Sequence, residues 1–351
     1  MIYSWNSDMQ GVVKMIGNKI IVIIIAALVV VGATAIVLWP SGERTGEWTP
    51  IVGDVEYSKI SATPRIIDAI EEMYETVYGE LPETVSAPED KMLEFTSLVQ
   101  TITGGIEIKS PRTGSPDSTV SFTNDEISSM KVISYGLGFT DSYAEMLGGD
   151  VWGTVVAAGN TTWTNYPGNG MDGGTLGSEY GLSAEALLGF LREADGSNTY
   201  CLLVWGYITN YDVIAAAISD YSNVKILCVD YYAINSLNYL LSVIDALGQL
   251  IGISTEDNTL ISEFQDRLYT MTSSIPSDPE IKVYMELTNG NSPGRGTLTQ
   301  LCFDVLNLEN INETSGTNKL SDEIVVSSKP DVIFFDVKDT RTDDQKLRFI
   351  V

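Results

Sequence analysis

The chain has 351 residues, 47 acidic and 20 basic, for a formal net charge of −27, and 44% of it is hydrophobic. That length can bury a sizeable core in one to three domains, while the acidic field repels nucleic acid and anionic lipid. Histidine is absent altogether, which removes the commonest transition-metal ligand, the commonest general base and every Ser-His or Cys-His nucleophile pair.

In chain order, the first feature is the run from Ile20 to Trp39, 20 consecutive residues without a charge. At about 1.5 Å per residue it reaches about 30 Å, the hydrocarbon thickness of a bilayer. Lys14 and Lys19 precede it, and Glu43, Arg44 and Glu47 follow. The positive-inside bias predicts a single-pass transmembrane anchor with residues 1–19 in the cytoplasm and the bulk of the chain outside. A cleaved signal peptide competes, but the small-residue pattern Ala33-Thr34-Ala35 lies inside the apolar run rather than after it.

Residues 40–129 read as a tether and a small accessory element. A helix is expected over Thr63–Tyr78, ended by Gly79 and Pro82, and two alternating strands follow at Ile106–Lys109 and Val120–Phe122. From Lys131 the pattern changes. Val132–Tyr135, Val151–Ala157, Tyr200–Trp205 and Val224–Asp230 are apolar runs, separated by helical stretches such as that capped by Ser183 and that over Tyr211–Tyr221. A further capping box, Ser142 with Glu145, opens the helix after the first strand. Strand and helix in alternation, with strands apolar throughout, predict a parallel sheet covered on both faces.

One long helix is expected over Ile234–Ile253 and a second over Asn258–Met271. The alternation then resumes with strand Ile281–Leu287, helices Thr297–Val305 and Ser321–Ser328, and strand Val332–Asp336. The three cysteines, Cys201, Cys228 and Cys302, are widely spaced and read as buried free thiols, with no metal site implied.

The fold class that follows is α/β, with two Rossmann-like lobes joined by a long helix and preceded by a transmembrane helix. The lobes are expected at 130–232 and 276–351, with the linking helix region at 233–275.

From Met130 to Asp336 the sequence resembles the cobalamin-, haem- and ferric-siderophore-binding family of ABC-importer solute-binding proteins. The segments that carry the resemblance are "MKVISYGLGFTDSYAEMLGG", "LGSEYGLSAEALLGFL" with "TYCLLVWG", and "KLSDEIVVSSKPDVIFFD". The resemblance implies capture of a metal chelate or macrocycle between two lobes outside the cell and its delivery to ABC permease and ATPase subunits, without catalysis and without a cofactor. It also implies that Glu185 and Glu323, each just inside a Ser-capped helix start, dock the lobes onto the permease. Loops at the carboxyl ends of strands would line the cleft. They offer Tyr135, Phe139, Trp163, Tyr166, Trp205, Tyr207, Tyr231 and Tyr232 from the first lobe, and Asn289, Asn291 and Arg295 from the second. Aromatic density of this kind suits a large, flat ligand.

The family continues for several tens of residues beyond the strand equivalent to Val332–Asp336, so the second lobe is expected to be incomplete, with an uncovered sheet edge. Three other readings compete. A ligand-sensing or adhesion protein on the same scaffold would need no permease. A free zinc or manganese binder is disfavoured by the lack of imidazole. An enzyme using Asp230 and Asp336 as an acid–base pair is weaker still, since acidic residues are frequent at strand ends.

Overall fold

The computed structural model describes residues 48–112, 114–135, 137–147, 154–158, 177–178, 181–206, 208–230, 236–277 and 280–348. Their elements, in chain order, are β1 (Ile51–Val55), α1 (Ile66–Tyr78), β2 (Val99–Ile102), β3 (Gly105–Lys109), β4 (Thr119–Thr123), α2 (Asn124–Ser128), β5 (Met130–Tyr135), α3 (Leu137–Met146) and β6 (Val155–Ala158). There follow α4 (Ala184–Glu193), β7 (Thr199–Trp205), α5 (Tyr211–Ala217), β8 (Val224–Val229), α6 (Leu237–Leu250) and α7 (Thr259–Ser274). The last are β9 (Lys282–Glu286), α8 (Leu298–Val305), β10 (Glu309–Asn310), α9 (Asp322–Ser328), β11 (Val332–Asp336) and α10 (Asp343–Lys346).

Two four-stranded parallel sheets organise the chain. The first runs β8-β7-β5-β6 and the second β1-β11-β9-β10. Side-chain alternation decides which layer each strand residue joins. On the first sheet, Ile133, Tyr200, Leu202 and Val204 face α4 and α5, packing on Leu187, Leu191 and Ile214. Their neighbours Val132, Cys201 and Leu203 belong to the larger cluster that also holds Phe139 and Tyr143 of α3 and the apolar residues of α6. The second sheet repeats this. Tyr284, Ile333 and Phe335 meet Leu320 and Val325 on the α9 side, whereas Val283, Met285, Val332 and Phe334 join the large cluster with α1, α7 and α8.

Residues 51–78, expected within the tether and accessory element, pack with the second sheet. β1 lies parallel to β11 in the register Ile51–Val332 to Val55–Asp336, and the Trp48 indole N–H donates to the Pro330 carbonyl at 2.9 Å. The helix forms where expected because Ile66, Ile67, Ile70, Met73, Tyr74 and Val77 make one apolar face, and all are buried. It stops at Gly79, whose φ of +94° suits glycine. The N-terminal strand and helix supply the second sheet's fourth strand and part of its cover.

The expected hairpin is a three-stranded antiparallel meander, β2-β3-β4, docked against the first lobe. Its loop satisfies the outer edge of β8, where the Cys228 N–H donates to Ser110 Oγ at 2.7 Å. Covering that edge removes a template for unwanted strand pairing. Lys225 reaches back from β8 to Glu126 at 2.6 Å, and the Arg112 guanidinium lies 4.1 Å from the Tyr211 ring centre.

The linking helix is shorter than expected, 14 residues over Leu237–Leu250, started by Ser236 Oγ accepting from the Tyr239 N–H. At about 1.5 Å per residue it is about 21 Å long. It is no bare strut, because nearly every residue from Leu240 to Leu250 is buried in the cluster shared by both sheets. Its one buried carboxylate, Asp245, accepts from Ser97 Oγ at 2.9 Å, Gln249 Nε2 at 3.0 Å and Thr255 Oγ1 at 2.5 Å. The helix α3 begins at Leu137 rather than at a Ser142 cap, and Ser142 is buried within it. The expected anchor at 20–39 lies outside the described residues. Among the described residues no helix is long and apolar enough to cross a membrane.

Candidate functional site

Both sheets have the same strand order. Counting along the chain, the first is 2-1-3-4 (β6-β5-β7-β8). The second is also 2-1-3-4, once β1 is counted fourth (β10-β9-β11-β1). In such a sheet the connections diverge between strands 1 and 3, and ligands bind at the carboxyl ends of those two strands. That places candidate sites beyond β5 and β7 in the first lobe and beyond β9 and β11 in the second.

In the first lobe, Tyr135 ends β5 and is buried. Phe139 is not in a ligand loop: it is 2% exposed inside α3, and its ring lies 4.2 Å from that of Trp205, centre to centre. Tyr135 and Phe139 each belong to one of the lobe's buried apolar clusters. Trp205, at the end of β7, is only partly buried. Trp163, Tyr166, Tyr207, Tyr231 and Tyr232 lie outside the described residues.

In the second lobe, an open pocket of about 420 Å³ lies at the expected place, lined by Thr288, Asn289, Gly290, Lys319, Arg341, Gln345 and Arg348. Thr288 to Gly290 follow β9, and Arg341, Gln345 and Arg348 follow β11. Beneath it is Glu286, the last residue of β9, whose side chain is 0% exposed. A carboxylate so buried needs cations, and it has two. Arg348 holds both its oxygens, at 3.0 and 3.2 Å, and Arg341 pairs with Oε1. The Tyr284 hydroxyl donates to Oε2 at 2.9 Å. Burial pushes the Glu286 carboxyl up, but the hydrogen bonds from Arg348, Arg341 and Tyr284 outweigh it, so it titrates below its ordinary value. Arg341 is further held by Asp339, and Arg348 by Asp322 at 2.9 Å.

Arg295 lies on the neighbouring loop, which is pinned by a short ladder between Ser292–Pro293 and Thr317–Asn318. Its guanidinium is exposed and pairs with Glu313 at 3.2 Å. Of the second-lobe residues expected at the cleft, Asn289 lines the pocket. Glu286, Lys319, Arg341 and Arg348 were missed. A signal was present, since a glutamate within the apolar strand Val283–Leu287 demands partners and the tail after Asp336 holds two arginines.

Glu185 and Glu323 occupy matching positions. Each is the second residue of the helix that leads into strand 3 of its lobe, and each helix is capped by serine, Ser183 Oγ accepting from the Ala186 N–H and Ser321 Oγ from the Ile324 N–H. Both glutamates are exposed. The Glu323 carboxyl is held below its ordinary value by its own backbone N–H and by Ser321. The cysteines are free and buried, and burial pushes the Cys228 thiol up to about 11 and that of Cys302 to about 12. Among the described residues no group of three or more Cys, Asp or Glu is placed to hold a metal ion.

The family described as periplasmic binding protein matches residues 216–349. No curated protein matches the chain at a significant level. Solved structures with a similar chain course include the periplasmic vitamin B12 binding protein of Vibrio cholerae (16% identity, 62% of this chain and 81% of that one, TM-score 0.44). A periplasmic heme binding protein from Pseudomonas aeruginosa is similar at 16% identity (63% and 76%, TM-score 0.42). So is a possible iron-binding, periplasmic solute-binding protein from Staphylococcus epidermidis, at 16% identity (63% and 81%, TM-score 0.42). The matched stretch, 216–349, carries the linking helix, strands β9, β10 and β11 of the second sheet, and the pocket above Glu286.

Proposed function

We propose that this chain is the extracytoplasmic solute-binding component of an ABC importer, anchored by residues 20–39. It would capture a metal chelate (a ferric siderophore, haem or cobalamin) between its lobes and deliver it to a permease. The observation that carries this reading is the pair of parallel sheets of identical strand order, bridged by α6, with a pocket at the divergence point of the second sheet. Such a molecule works by binding and release, with no covalent step. Because α6 is buried in a core common to both lobes, closure would be a small adjustment rather than a wide hinge swing.

Glu185 and Glu323, related by the repeat of the lobes, would present one exposed carboxylate from each lobe to basic pockets of a permease dimer. Their equivalent positions on equivalent helices support that role. The test is titration of the full-length chain in detergent with haemin, cyanocobalamin and ferric siderophores, followed by tryptophan fluorescence and thermal shift. Saturable quenching by one of them is expected. No quenching and no thermal shift with all three would remove the reading. Joint replacement of Glu185 and Glu323 by alanine should leave that binding intact and abolish uptake.

A further inference from the structure

The chain passes between the lobes twice. Residues 79–98 lead from α1, which packs with the second sheet, to β2 of the meander docked on the first. Helices α6 and α7 lead back, between β8 and β9. The first crossing is an extended strap with a short helical turn at Glu89–Lys91, and most of it is exposed. It is nevertheless fastened at intervals to the two helices of the return crossing. On α7, Thr270 Oγ1 accepts from the Val85 N–H at 3.0 Å and Asp266 Oδ1 from the Ala87 N–H at 2.8 Å. On α6, Asn238 Nδ2 donates to the Glu94 carbonyl, and Asp245 Oδ2 accepts from Ser97 Oγ at 2.9 Å. Leu81, Leu93, Phe95 and Leu98 rest on the core cluster common to both sheets. Helix α7 in turn touches both α1 and the first lobe's α3.

We infer that this strap is a second restraint on the angle between the lobes, which α6 alone does not set. A body joined to another at one place can pivot there about any axis, whereas two separate joints leave rotation only about the line through them. The strap is joined first to α7 and then to α6, so a lobe that tilts away from the helix pair has to lift it from one of them. The donors on the α7 side are backbone groups that an extended segment cannot pair within itself. Ser97 is one of the donors to Asp245, which is 1% exposed, and lifting the strap from α6 leaves that buried carboxylate short of a hydrogen bond. Tilting therefore breaks several bonds in one movement. For a ligand held between the lobes, the strap would slow release by keeping them from parting. That consequence rests on the reading above, while the restraint itself does not.

Val213 on α5 and Ile324 on α9 are 59% and 45% exposed, and the native thiols are buried, so the Val213→Cys, Ile324→Cys variant accepts spin labels at those two positions selectively. The distance between the labels is measured by pulsed electron paramagnetic resonance in the full-length chain without ligand. Three forms are compared: intact, cut at a protease site inserted between the exposed residues Glu83 and Thr84, and uncut with Ser97→Ala and Asp266→Ala added. The intact chain should give one narrow distance distribution. Cutting should broaden it and move it to longer distances, and the two added substitutions should do the same to a smaller extent. A distribution unchanged by cutting, or already broad in the intact chain, would overturn the inference. Should the cut chain lose its circular dichroism signal, the uncut variant decides: broadening supports the restraint and an unchanged distribution overturns it. Because the distances are read without ligand, failure here leaves solute binding standing. Failure of haemin, cyanocobalamin and ferric siderophores to bind would likewise leave the restraint standing.

Discussion

The first sheet draws its four strands from one continuous stretch of chain, 130–229, while the second draws three from 282–336 and its fourth from 51–55. The strand order is the same in both. Sheet order is thus dictated by which faces must be buried and not by proximity along the chain. β11 presents Val332 and Phe334 to one face and Ile333 and Phe335 to the other, all 0% exposed. An apolar strand of that kind cannot stand at an open edge, so a short, partly exposed strand from far away closes it. Ile51, Val52 and Asp54 of β1 tolerate exposure there. In the first lobe the equivalent edge, that of β7, is covered by β8 from the same stretch of chain, and the Ser110 loop in turn meets β8.

The comparison breaks if the second lobe does not depend on its borrowed strand and helix. The largest effect is expected at its centre. Phe334 is fully buried and stacked on Phe303 with ring centres 5.9 Å apart, so Phe334→Ala should cost about 4 kcal/mol in urea unfolding. Next comes Ile70→Ala in α1, a fully buried residue, at about 3 kcal/mol. A segment that merely tethered the lobes would give a change near zero.

Glu286→Gln should cost about 2 kcal/mol, because it removes the carboxylate charge that two guanidinium groups share, each a quarter to a third exposed and each keeping one other carboxylate. The acid dependence follows from the carboxyl's lowered titration. Its contribution is complete above the unfolded carboxyl value of about 4.3 and is lost as pH falls through the lower folded value. Urea midpoints measured from pH 6 to pH 3 should therefore fall less steeply in the variant than in the parent. The smallest effects test the likeness of the lobes directly. Ser183→Ala and Ser321→Ala each remove one cap and should each cost about 1 kcal/mol by the same measurement. Unequal losses would show that the two helix starts are not equivalent.

Much of the fold was legible in the residues. Val132–Tyr135, Tyr200–Trp205, Val224–Asp230 and Val332–Asp336 are apolar runs that have few alternatives to a covered parallel strand, and all four form strands close to those limits. The apolar face of Ile66 to Val77 fixed a helix for the same reason. What these patterns do not carry is an address. Ile51–Val55, with a glycine at its centre, falls in the expected tether, and nothing local says that it forms a strand or that its partner is Val332. Gly53 has a reason visible only in three dimensions, since a Cβ there would sit 2.5 Å from Thr76 Cγ2 on α1. The site divides in the same way. Ring-rich loops were easy to nominate by residue type, yet Phe139 turned inward because its lobe needed the volume. The Glu286 cluster is a matter of charge pairing between β9 and the tail, and such pairing appears only once β11 lies beside β9.

The bond from Trp48 to Pro330 joins residues 282 positions apart. During synthesis, at about 5–20 residues per second, the opening strand emerges on the order of tens of seconds before the one it must lie beside. Ile51 and Val52, 40% and 45% exposed even in the finished molecule, would spend that interval with both flanks bare. The earliest part of this lobe to be made is the latest to find its seat. Its maturation should therefore lean on whatever holding factors accompany the nascent chain, whereas the first lobe can assemble as it appears.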